Sequence, residues 1–277
     1  MREILEGNFA PWRLVLWPPS SIRVVDWNID RGQKLSGIVD FLGKANADIL
    51  LLQEVDINAR RTQQLNVAQE IARQLQMNYV FGREFQELTQ GSKANPAYHG
   101  QATLSRWPIS NPRLIRFQKQ SSFWQPHWFL PEIEPFQERL GGRIALVADI
   151  DIVGQKIVSY NLHLESRGND DLRRAQMDEV LRDAASHDAN SLLIVAGDLN
   201  VDISKYDAMT SAGFREAVPT ARVPSTPPRG LFESGRHIDW AFVRGPIQTD
   251  SGQIHKSVKA SDHYPISFNL RRNASSA

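Results

Sequence analysis

Runs of apolar, β-branched residues alternate with helix-period segments along the whole chain, and that alternation restricts it to a layered α/β architecture. Ile22 to Trp27 reads as a buried strand. Leu35, Ile38, Val39 and Leu42 follow at the i, i+3, i+4, i+7 spacing of an amphipathic helix. Asp48 to Gln53 (DILLLQ) is the next strand, and a second stripe, Ala68, Ile71, Ala72 and Leu75, leads to a strand at Asn78 to Phe81 that Gly82 closes. Ala102 to Leu104 and Ile144 to Ile150 are strands, and Val153-Gly154-Gln155 turns a hairpin into Lys156 to Leu162. Met177, Val180, Leu181 and Ala184 stripe a third helix. Ser191 to Ala196 (SLLIVA), His237 to Val243 and Pro265 to Leu270 supply the remaining strands.

Two passages share a layout. In one, a strand ending in Asn28 is followed by a helix and a strand ending in Glu54; in the other, the strand ends are His163 and Asp198. Strand-helix-strand connections leave both strand ends at one sheet edge, where open α/β sheets carry their sites, so these four polar residues are expected to converge.

The segment from Gln120 to Leu140 is rich in aromatics and proline, which excludes a regular helix or central strand; it reads as a loop or lid. Its Phe123, Trp124, Trp128 and Phe129 either anchor that loop or stack on a base or aryl group. Val223 to Gly230 is a second proline-rich loop. The chain therefore divides into an N-terminal extension over residues 1–20, a single domain over 21–271 and a polar tail over 272–277.

Composition narrows the chemistry. The absence of cysteine excludes disulfides, thiolate metal sites and a cysteine nucleophile. Lysine plus arginine (32) nearly balance aspartate plus glutamate (31), so a polyanion would have to be met by a local patch such as Arg60, Arg61, Arg113, Arg116, Arg173 and Arg174. No membrane span or signal-peptide core is evident, and a cytoplasmic monomer is expected.

What remains is carboxylate, amide and histidine chemistry. Asn28 in VVDWNID and Glu54 in LLLQEVD offer oxygen ligands for a hard cation, though each is also compatible with a turn cap or a solvated strand end. In GDLN, Asp198 and Asn200 would share a face if extended; an aspartate there suits water activation and an amide suits a phosphoryl oxygen. His163 in NLHLES and the Asp262-His263 pair in SDHYPI are candidate acid, base or ligand groups. Asp239 in RHIDWAFV needs a partner, and His263 is the natural one. His127, His187, His237 and His255 read as packing or surface residues.

In order, WNID, LQEV, HLES, GDLN and SDH resemble the motifs of the endonuclease/exonuclease/phosphatase superfamily of DNase I-like phosphoesterases, over about Ile22 to Leu270. Within it they look like the 5′-tyrosyl-DNA phosphodiesterase branch, while QEVD with Arg60, Arg61 and Thr62, and GQATLSRWPI, look equally like generic bacterial members. The resemblance implies an α/β fold, a four-layered α/β/β/α sandwich of two mixed sheets flanked by helices. It also implies a phosphodiesterase that uses Mg2+ or Mn2+ on a nucleic acid or nucleotide substrate. Glu54 would hold the metal with Asn28 and Asp262 beside it. Asp198 would activate water, Asn200 and His163 would hold phosphoryl oxygens, and His263 paired with Asp239 would stabilise the charged phosphate. Arg143, Asp30 and His99 would contact substrate, Arg143 alternatively an acidic neighbour. A phosphatase or phospholipase, or a catalytically silent phosphate-binding module, are the competing readings.

Overall fold

A computed structural model describes residues 2–12, 14–125, 129, 138–204, 206–219, 223–228, 230 and 234–272. The chain runs β1 (Ile4–Gly7), β2 (Ser21–Arg31), α1 (Leu35–Ala45), β3 (Ile49–Ile57), α2 (Val67–Leu75), β4 (Asn78–Glu87), β5 (Ala97–Ser105) and β6 (Ile109–Arg116). It continues through β7 (Arg139–Gly141), β8 (Ile144–Ile152), β9 (Gln155–His163), α3 (Asp170–Ala184) and β10 (Leu192–Asp198). A short α4 (Ala208–Ser211), β11 (Arg215–Glu216), β12 (Asp239–Arg244), β13 (Ile247–Ile254) and β14 (Ile266–Arg272) complete it. His127, Trp128 and the tail beyond Arg272 fall outside the described residues.

Alternation along the strands explains the layers. Val25, Trp27 and Ile29 of β2, with Leu50 and Leu52 of β3, pack beneath α1 and α2 against Ile38, Leu42, Val67 and Ile71. The intervening Val24, Ile49 and Leu51 face the other way and meet Ile194, Ala196, Val243 and Phe268 between the sheets. Leu193 and Val195 of β10 point outward to Met177, Val180 and Leu181 of α3. Continuous apolar runs are thus split by the two-residue period into two cores each. Every such side chain contributes about 1.5–3 kcal/mol on burial, which binds helix, sheet, sheet and helix into the four-layered sandwich.

One sheet has eight strands, ordered β1-β4-β5-β3-β2-β14-β13 with β7 added at β4, and the other six, ordered β11-β12-β10-β9-β8-β6. Both expected strand-helix-strand units form parallel pairs, with Asn28 opposite Gln53 in one and His163 opposite Asp198 in the other. Gly82 does not end β4. It faces the second sheet, where a Cβ would lie 2.7 Å from Leu114, and the strand continues to Glu87. β6 and β13 escape sequence reading because edge strands keep one side solvated and need no apolar run; β6 even carries Pro112. β1 lies within the first twenty residues and pairs antiparallel with β4.

Below the site, a polar knot joins the sheets. Gln53 Nε2 donates to Asp26 Oδ1 (2.8 Å) and to Asn161 Oδ1 (2.9 Å), and Asn161 donates to the carbonyls of Leu52 and Ala102. Burial pushes the Asp26 carboxyl well above its usual range. No helix among the described residues is long and apolar enough to cross a membrane.

Candidate active site

The C-terminal ends of both parallel pairs open into one cleft of about 370 Å3 lined by Glu54, His163, Asp198, Asn200, Asp262 and His263. The ladders break there. The β2–β3 and β3–β5 registers shift next to Glu54, which adopts a left-handed φ of 52°, and Asp30 (45°) and Asn200 (53°) do the same. Such strain in non-glycine residues costs on the order of 1–3 kcal/mol and clusters at functional sites.

Asp198 and Asn200 do not meet as neighbours on an extended strand. β10 ends at Asp198, and the turn that follows brings the Asn200 backbone N–H to Asp198 Oδ1 (2.9 Å). Asn200 Nδ2 donates one hydrogen to the Leu164 carbonyl (3.2 Å), leaving its second for another acceptor. Asn28, at the end of the neighbouring sheet, donates from Nδ2 to Asp198 Oδ2 (3.1 Å). The loop bearing Asp262 and His263 is fastened to β2: Ser261 Oγ donates to the Asn28 carbonyl (2.7 Å), and Trp27 Nε1 to the His263 carbonyl (2.9 Å).

Two imidazoles bracket Asp198 Oδ2, His263 Nε2 at 3.7 Å and His163 Nε2 at 3.6 Å, in opposite charge states. Burial alone would lower the pKa of His263, but Asp239 and Asp198 outweigh it and raise it to about 10, so the ring is an imidazolium. Burial and the Arg143 guanidinium hold His163 well below its usual value, so that ring is neutral. Asp198 is raised to about 6 by burial, against the pull of His263.

Asp239 meets His263 Nδ1 at 2.9 Å, as the residue types suggested. Its orientation depends on Ser225, which the sequence did not single out. Ser225 Oγ accepts from the Ile238 and Asp239 backbone N–H groups, so its hydrogen goes to Asp239 Oδ2 at 2.6 Å. Thus the proline-rich loop locks the dyad.

Glu84 was also missed, because ending the strand at Gly82 left it outside any recognised element. It accepts from Arg143 Nη1 (3.1 Å), and its Oε2 lies 3.7 Å from His163 Nδ1. Burial raises its pKa to about 7 despite Arg143. A carboxyl raised on folding takes up a proton between its ordinary value and about 7, so its contribution to stability falls as pH rises across that window. Glu84→Gln removes this dependence. Urea midpoints should favour the variant over wild type more at pH 8 than at pH 5, by up to about 3 kcal/mol; an equal difference at both would show that Glu84 is ionised throughout.

The expected substrate contacts fare differently. Arg143 is buried and lines the cleft, but it is spent on Glu84 and Ser166. Asp30 is not among the lining residues; its Oδ1 accepts from Arg31 (2.6 Å). His99 is fully buried behind the cleft, its Nδ1 2.9 Å from Asp56. With Glu87, those two lie within ligand reach of one cation, yet Arg61 and Arg139 already pair with Asp56 and Glu87. Four of the arginines proposed from sequence are already paired with carboxylates: Arg61 with Asp56, Arg113 with Asp183, Arg116 with Glu3 and Arg173 with Asp170. Instead Arg31, Arg139, Arg143, Arg167 and Arg236 line the cleft. His237 and His255 pack as expected, on Trp240 and against Phe41.

Glu54 offers an ionised carboxylate to the cleft. Burial raises its carboxyl, but the positive charge around it, including the Arg31 and Arg139 guanidiniums, outweighs that and holds it well below the usual range. Among the described residues its side chain meets only Arg31, 3.9 Å away, too far for a hydrogen bond. An ionised carboxylate that shares the cleft with Asp262, with Asn28 paired opposite Gln53 on the adjacent strand, suits a hard divalent cation.

Comparison with known proteins gives the fold and the family. An endonuclease/exonuclease/phosphatase from Beutenbergia cavernae has 19% identity and a TM-score of 0.64, covering 92% of this chain and 72% of its own. A D. rerio TDP2 humanized by 14 mutations has 18% identity and a TM-score of 0.63, covering 91% and 100%. An endonuclease/exonuclease/phosphatase from Bacteroides vulgatus has 19% identity and a TM-score of 0.64, covering 92% and 100%. Nothing among curated proteins matches. The sequence profile described as "Endonuclease/Exonuclease/phosphatase family" matches residues 27–263, most of the chain and every strand end that meets in the cleft. By that match, and with the same fold in its structural neighbours, this chain belongs to the endonuclease/exonuclease/phosphatase family, whose members are hydrolases of phosphoric esters.

Proposed function

We propose that this chain is a Mg2+- or Mn2+-dependent phosphodiesterase that hydrolyses nucleic acid or nucleotide-like esters by in-line attack of water. The observation that carries this reading is Asp198 set between a charged and a neutral imidazole at the mouth of an arginine-lined cleft. A phosphate-binding module has no use for a carboxylate of pKa about 6 facing the anion site, whereas a general base does.

Each group then has a task. Asp198 accepts the proton of the attacking water while Asn28 and the Asn200 N–H hold its oxygens in position. The free amide hydrogen of Asn200 and the His163 ring donate to phosphoryl oxygens as their charge grows. His263, kept charged and oriented by Asp239 and Ser225, offsets the same charge. Arg143 holds Glu84 against His163 and so steadies that ring. Glu54, Asn28 and Asp262 would hold the divalent ion, which when bound neutralises phosphate charge and assists the water and the leaving oxygen.

The test is hydrolysis of bis-p-nitrophenyl phosphate by metal-stripped protein, with magnesium or manganese added back, beside His263→Ala. Activity should require metal and fall by about a hundredfold or more in the variant. Equal activity without metal, or an unaffected variant, would refute the mechanism.

A further inference from the structure

Glu165 is fully buried two residues beyond His163, and it fastens two loops together. It accepts from Trp124 Nε1 (2.9 Å), from the Ser121 N–H (3.4 Å) and from the Arg167 N–H (2.9 Å). Trp124 and Arg167 both line the cleft. Between them stands Phe123, edge-on to Trp124 with ring centroids 4.8 Å apart, and with the Arg167 guanidinium over its face at 4.5 Å. Phe123 is 54% exposed, and among the described residues Arg167 has no carboxylate partner. An exposed aromatic ring fixed under a cation and against a tryptophan, both of which line the cleft, presents a rigid π surface at the cleft edge.

We infer that Phe123 and Arg167 form a subsite for the flat base of a nucleotide ester, stacked beside the phosphate held by His163 and Asn200. The inference rests on the phosphodiesterase reading and narrows its substrate to esters bearing a base next to the scissile bond. A planar π-system can stack on the exposed phenyl ring or on the guanidinium plane, while an alkyl, inositol or glycerol ester stacks on neither.

The probes are thymidine 5′-(p-nitrophenyl phosphate) and methyl p-nitrophenyl phosphate, which share a leaving group and differ only in the base-bearing arm. Wild type should show a higher kcat/KM for the thymidine ester. Phe123→Ala should lose about tenfold of that preference and Phe123→Trp should retain it. A wild-type ratio near one, or a ratio unchanged in Phe123→Ala, overturns the subsite. If neither ester is cleaved with magnesium or manganese, the hydrolase reading fails, and calorimetric binding of thymidine 5′-monophosphate decides the subsite separately. Binding that Phe123→Ala abolishes supports it, and the same affinity in both proteins overturns it.

Discussion

Asp198→Asn should lower kcat/KM for diester hydrolysis by about a thousandfold or more while leaving the fold intact. The amide is nearly isosteric with the carboxylate and can still accept from the Asn200 N–H, so the turn after β10 keeps its shape. It cannot take a proton from water. It also removes one of the three carboxylates, Asp239, Asp198 and Asp262, that raise His263 to about 10, so the imidazolium is less strongly held as well. Loss of a positioned base is typically worth 10²–10⁴ in rate, and the weakened imidazolium adds to it. Steady-state kinetics with an unfolding curve would check this. Retention of activity within about tenfold would remove Asp198 from the role of base.

Gly197→Ala should be the most damaging single-methyl change, destabilising the protein by more than about 4 kcal/mol. Gly197 lies in β10 opposite Leu162 of β9, with β12 on its other side. A Cβ there would sit 1.9 Å from the Leu162 carbonyl oxygen, and the φ of +145° is already one that side chains rarely adopt. Relief requires moving a central strand, and with it Asp198. Gly154→Ala separates the two causes: its φ is +81°, but a Cβ would meet nothing within 4 Å, so the cost should be only about 1 kcal/mol. Urea midpoints of the two variants decide it; comparable losses would mean that backbone conformation, not the close approach, dominates.

Side-chain periodicity explains which parts of the fold were legible. Strands buried on both faces, such as SLLIVA, announce themselves as apolar runs, while edge strands β1, β6 and β13 carry mixed sequences and do not. The site followed the same rule. Asn28, Glu54, His163 and Asp198 were readable because each ends or follows a run, and they do converge. Glu84 was hidden inside a strand thought to have ended, and Ser225 lies in a loop with no periodic signal.

By itself the sequence determined the two strand-helix-strand units, a layered α/β architecture and the identity of the polar residues at one sheet edge, because local hydrophobic period dictates which face of each element is buried; the four-layered sandwich was implied by the family resemblance. Only the tertiary structure decided what those residues can do. Asn28 reaches Asp198 across 170 positions of chain, and burial beside particular charges leaves His163 neutral and His263 charged. It also turned His99 and Arg143 inward onto Asp56 and Glu84. Protonation and hydrogen bonding depend on distances of a few ångströms between strands remote in sequence, and no local pattern encodes them.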